Sequence, residues 1–149
     1  MSTIPEDRLK ILKACTNGDE AAAQFLETIY TFFHMVDDLV DQDVTPAPTD
    51  EQIGKACVLL ILTIGGNPFY QAHRQKFEAL IEQAFSAWLC ANNLERDKKT
   101  EGKVLKSWYH EIFWHTARIT GGWDYMRRVC LEHRAFDMSM EEVPHGLLR

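Results

Sequence analysis

Glu27-Thr28-Ile29-Tyr30-Thr31-Phe32-Phe33-His34-Met35-Val36-Asp37-Asp38-Leu39-Val40-Asp41 is the stretch whose periodicity decides the fold. At ~100° per residue, Glu27, His34, Asp38 and Asp41 fall within an arc of about 60°, with Asp37 at its edge, one turn before Asp41. Phe25, Ile29, Phe32, Phe33, Val36, Leu39 and Val40 take the other side and are expected to face a core. Such a two-faced pattern, sustained over several turns, specifies an amphipathic helix packed against other helices.

Working outward, the punctuation is helical throughout. Thr3-Ile4-Pro5-Glu6 has the form of a capping box with proline in the first turn, and Asn17-Gly18 is a stop signal. Asp19 opens the second helix, expected to run to about Gln42, and Pro46 and Pro48 make 43–49 a loop. Thr49 with Gln52 caps a third, very apolar helix that ends at Gly65-Gly66 and reads as a buried core helix. A fourth helix is expected from Asn67-Pro68 to about Asn92, a fifth from Lys103 to Thr120, and a sixth from Trp123, fading by Phe136. No segment alternates with period two, so the expectation is an all-α single-domain bundle of five or six helices over 1–136, with 137–149 as a tail.

The 149 residues leave room for one domain, and 46% hydrophobic residues exclude disorder over most of the length. A formal net charge of −6 argues against a nucleic-acid binder, which needs a basic surface. The polar start lacks the pattern of a secretory signal, and the longest apolar run, Ala56 to Ile64, is about half of the ~20 residues that span a membrane. Cys15, Cys57, Cys90 and Cys130 are far apart among apolar neighbours, where thiols act as small hydrophobes. A reduced, cytoplasmic protein without a membrane span is expected.

Carboxylates stacked at i and i+4 repel, and three of these acids sit where the helix dipole already disfavours negative charge. A cation resolves that conflict, and a hard divalent ion such as Mg²⁺ takes carboxylate oxygens together with water and phosphate oxygens. An acidic face that only aids solubility is the competing reading.

Phe33-His34-Met35-Val36-Asp37-Asp38-Leu39-Val40-Asp41 resembles the first aspartate-rich motif, D-D-x-x-D, of class I isoprenoid synthases, especially the squalene/phytoene synthase type. As in that family, the motif ends a helix, follows aromatic residues and leads into a proline-containing loop. The resemblance covers roughly 25–51. It implies an all-α fold and a transferase that uses Mg²⁺ to hold the diphosphate of a prenyl substrate. Asp37 and Asp41 match the principal metal ligands and Asp38 the second acid of the motif; His34 is a further candidate ligand. Asn93-Leu-Glu-Arg-Asp97-Lys-Lys-Thr-Glu101 has the spacing of the family's other metal motif, with Asp97 where a hydroxyl residue belongs. The D-x-x-x-D form of the second motif has no counterpart. The length of the chain points to a minimal relative or to a site shared between two copies.

Trp108, Glu111, His115 and Arg118 share one face of the fifth helix, where Glu111 and His115 suit extra ligands or an acid/base pair. Arg118, Arg127 and Arg128 suit phosphate oxygens, and Trp88, Trp108, Trp114 and Trp123 are expected mostly in the core. Glu78 and Glu82, with Asp38 and Asp41, keep open an all-α nucleoside triphosphate pyrophosphohydrolase. A third reading is a non-enzymatic helical interaction protein. The expected partners are a diphosphate-bearing small molecule and, in a homodimer, a second copy of the chain.

Overall fold

The computed structural model describes residues 4–42, 46–94 and 107–140, with side chains left out at 94, 107 and 134–140. It is all-α: among the described residues there are seven α-helices, a 3-10 turn at Ser107–Tyr109 and no strand. The helices are α1 (Glu6–Thr16), α2 (Glu20–Asp41), α3 (Asp50–Gly66), α4 (Pro68–Ala72), α5 (Arg74–Leu94), α6 (His110–Gly121) and α7 (Trp123–Met140). The chain divides into two compact units, Met1–Arg74 and Gln75–Arg149.

In the first unit, local chemistry sets most of the helix ends. Asn17 takes the left-handed conformation (φ 48°) and its N–H donates to the Lys13 carbonyl, so α1 stops where an Asn-Gly pair makes stopping easy. Asp19 then caps α2, accepting the Ala22 N–H at 3.0 Å. Thr49 and Gln52 form a reciprocal capping box at the start of α3. The cap of α1 differs from expectation: Pro5 holds the N-cap position with no side-chain hydrogen bond, and Thr3 lies outside the described residues.

α2 and α3 run antiparallel, as two distant contacts show. The Thr28 and Thr63 hydroxyls pair at 3.2 Å, and the Asn67 amide donates to the Ala21 carbonyl at 2.8 Å. The same Asn67 side chain caps α4 by accepting the Tyr70 N–H at 2.9 Å. Phe25, wholly buried, sits between Phe69 (6.0 Å) and Tyr70 (5.4 Å) of α4. Leu12 and Cys15 of α1 are buried too, as are Leu26, Ile29 and Phe33 of α2.

Three expectations for this unit are corrected. The single helix expected from Pro68 to Asn92 is divided at His73, whose dihedrals (φ −125°, ψ 26°) leave the helix and whose N–H closes a tighter turn on the Tyr70 carbonyl. That division raises the helix count above five or six. Leu39 and Val40 are exposed rather than in a core. The Thr28–Thr63 pairing sets Leu39 level with Gln52, so the last turn of α2 comes beside the polar start of α3, Asp50-Glu51-Gln52. α3 itself, expected in the core, buries only Ala56 and Thr63 and exposes Val58, Leu59, Ile61 and Leu62.

In the second unit, Phe77 and Leu80 of α5 are buried, as are Ile112, Phe113, Trp114 and Ala117 of α6 and Val129 of α7. α6 and α7 form a hairpin broken at Gly122, whose φ of 88° suits glycine. Gly121 is equally required, because a Cβ there would collide with the Tyr125 ring. α7 continues past Phe136 to Met140. The four cysteines form no disulfide; Cys15 is buried, while Cys57 and Cys90 are exposed. No described helix is long and apolar enough to cross a membrane.

Candidate functional site

The acidic motif forms the last two turns of α2. Asp37 and Asp38 are half-buried and Asp41 is exposed, with no basic residue in that final turn. Gln42 ends the helix in the left-handed conformation (φ 55°), its N–H donating to the Asp38 carbonyl at 3.0 Å. The chain therefore leaves the helix one residue after the third aspartate. Glu27, on the same face, is half-buried three turns back.

His34 keeps an exposed edge while its ring lies on Tyr30, centroids 4.2 Å apart. Its pKa is lowered below the usual 6.5, chiefly by lost hydration of the charged form; the Arg8 charge lowers it further and Asp37 opposes both. The lowered pKa keeps His34 in its neutral form at pH 7. The buried Tyr30 hydroxyl has its pKa raised, first by desolvation, with Asp7 and Asp38 adding to the rise and Arg8 opposing it.

These couplings bring the first turn of α1 to the site, which inspection of α2 alone misses. Arg8 and Tyr30 are the residues overlooked. The signal was present in the turn at Asn17-Gly18: a helical hairpin closed there sets the start of α1 beside the middle of α2.

Among the described residues, no three His, Cys, Asp or Glu side chains form a group able to hold a metal ion. A prebuilt cage is not what Mg²⁺ requires, since it keeps several waters and takes one or two carboxylates plus substrate phosphates. Asp37 and Asp41, one turn apart and both reached by solvent, fit that modest demand.

The remaining candidates lie in the second unit. Glu111 and His115 on α6 are half-buried, and the His115 ring meets Phe77 edge-on at 5.5 Å. Arg118 is exposed and its guanidinium covers the Trp123 ring at 5.8 Å, as Arg128 covers Tyr125 at 5.4 Å. Arg127 is exposed. His110, given no role from sequence, is buried in an aromatic stack with Tyr109 (4.1 Å) and Trp114 (6.2 Å). Trp114 is buried and Trp88 meets Phe85 edge-on, whereas Trp108 and Trp123 are exposed, against the expectation of core packing. Asn93 is exposed near the end of α5, and Asp97 and Glu101 lie outside the described residues. Glu78 and Glu82 are exposed on α5.

No family model matches the chain, and neither the curated proteins nor the solved structures contain a match.

Proposed function

We propose that the chain is a Mg²⁺-dependent diphosphate-binding protein resembling a minimal isoprenoid synthase, with Asp37 and Asp41 as the carboxylates that hold the metal and Asp38 beside them. The observation that carries this reading is the placement of three acids, two of them half-buried, in the last two turns of α2 without a basic residue in the final turn. Helix dipole and mutual repulsion both work against such an arrangement, and a bound cation removes both penalties. When bound, Mg²⁺ supplies positive charge that diphosphate oxygens share. Asp37 and Asp41 anchor it, Asp38 adds negative charge one residue along, and neutral His34 offers a further nitrogen without adding repulsion. Arg8, whose charge acts on both His34 and Tyr30, is the candidate for a charge-assisted hydrogen bond to a phosphate oxygen.

Isothermal titration with inorganic pyrophosphate, with and without Mg²⁺, tests the proposal. The wild-type chain is expected to bind only when Mg²⁺ is present, and Asp37→Ala/Asp41→Ala to weaken binding at least about tenfold, as the loss of one charged contact does. Identical heats for the two proteins sink the reading and leave a non-catalytic helical interaction protein.

A further inference from the structure

Among the described residues, α3 exposes more large apolar side chains than any other helix. From Ile53 to Gly66 it carries one charged residue, Lys55, which pairs with Glu51 at 3.0 Å. Val58, Leu59, Ile61 and Leu62 are 55%, 52%, 69% and 65% exposed. A helix apolar on every side is ordinarily covered on every side.

The exposed residues are not scattered. Gly54, Val58, Ile61 and Gly65 follow one another at intervals of four, three and four, the spacing of a helix-packing seam, with Cys57 and Leu62 on its two flanks. The order is small, large, large, small. Gly54 and Gly65, Val58 and Ile61, and Cys57 and Leu62 are each equidistant from the midpoint between Leu59 and Leu60. A face with that symmetry matches itself when turned end for end, which is the requirement of a two-fold interface.

The glycines supply a second, independent observation. Glycine inside a helix is unfavourable relative to alanine. A Cβ at Gly54 or Gly65 would meet nothing within 4 Å, so the packing among the described residues of this unit does not ask for either. Close approach of another helix does, because only glycine brings the two backbones together.

We infer that α3 is the interface of a homodimer, two copies crossing antiparallel so that Gly54 lies against Gly65 and Val58 against Ile61 of the other copy. The exposed half of a helix about 25 Å long and about 10 Å wide offers roughly 400 Å² per copy. Two copies bury roughly 800 Å², the size of a weak, reversible association rather than an obligate one. Charge argues against an anionic lipid surface, since the helix begins with Asp50 and Glu51 and the chain carries −6; the same charge on two copies makes their association stronger at higher salt. This inference does not depend on the diphosphate reading.

Sedimentation of the full chain over roughly 1–100 µM is expected to show a mass rising from 17.2 kDa toward twice that value. Ile61→Asp is expected to weaken association at least about tenfold, while Leu131→Asp, the same change at an exposed residue of α7, leaves it unaltered. In a Cys57→Ser/Cys90→Ser/Cys130→Ser background, Gly54→Cys/Gly65→Cys is expected to give a disulfide dimer, whereas Gly54→Cys alone gives none, because antiparallel pairing sets the two copies of position 54 about 16 Å apart along the helix. A disulfide dimer from Gly54→Cys alone indicates a parallel pairing and overturns the geometry. Gly54→Ala separates this role from a local one: in the Ile61→Asp monomer it is expected to raise the melting temperature, yet in the otherwise wild-type chain to weaken dimerisation. A chain monomeric at 100 µM, or a dimer indifferent to Ile61→Asp, overturns the proposal.

Discussion

α2 turns Phe25, Leu26, Ile29 and Phe33 inward and holds Asp37, Asp38 and Asp41 at its end, whereas its antiparallel neighbour α3 buries only Ala56 and Thr63. Both helices contain ample apolar surface. What separates them is contrast: α2 alternates between apolar and polar faces with helical period, so its orientation is decided by its own residues. α3 has almost no polar face to turn outward, and its orientation follows from its partners, α2 and α4. Apolar content says that a helix gains by burial; only periodicity says which side will be buried.

The largest expected effect tests that difference directly. Phe25→Ala removes a fully buried ring flanked by Phe69 and Tyr70 and is expected to cost about 3–5 kcal/mol. Leu59→Ala, on the exposed side of α3 but off the glycine seam, is expected to stay within about 0.5 kcal/mol. Urea denaturation of both variants decides the matter, and equal costs would mean that α3 is covered as fully as α2.

The same contrast explains what could be read in advance. Helix ends held by short-range hydrogen bonds were legible, because Asp19, Asn17 and the Thr49–Gln52 box act within one turn of themselves. The break at His73 was not, since neither proline nor glycine marks it and the Tyr70 carbonyl that receives its N–H is an ordinary backbone group. The acidic face was visible residue by residue. Its environment was not: Tyr30 lies against His34 one turn back on α2 itself, but Arg8 reaches the site only through the α1–α2 hairpin, and a tertiary neighbour of that kind is marked by nothing but the turn that closes the hairpin. Trp108 and Trp123 misled for the reason α3 did, because a large apolar side chain signals available surface and not its direction.

On the polar side of α2, pH offers a sharper probe. The pKa of His34 in the folded chain lies below its unfolded value near 6.5, so the unfolded state binds the proton more readily. The stability this contributes is present above pH 6.5 and is lost as the pH falls through the folded value. Thermal melts from pH 7.5 to 5 are expected to show a decline that His34→Gln flattens. An unchanged slope in the variant would assign the decline to other groups.

The smallest effect is the one that links the two sides of α2. Asp37 and Asp41 lie one turn apart at the C-terminal end of the helix, where mutual repulsion and the dipole each cost a few tenths of a kcal/mol. In metal-free buffer, Asp37→Asn and Asp41→Asn are therefore expected to stabilise the chain by about 0.3–1 kcal/mol each, because neutral amides keep the shape and remove the charge. With Mg²⁺ and pyrophosphate present the order is expected to reverse, since ligands that bind only the folded wild type add stability by mass action and the amides forgo it. Paired thermal melts with and without Mg²⁺ and pyrophosphate measure both signs. A solvated acidic face with no ligand gives the first effect without the second, and aspartates neutralised by neighbouring side chains within the fold give neither.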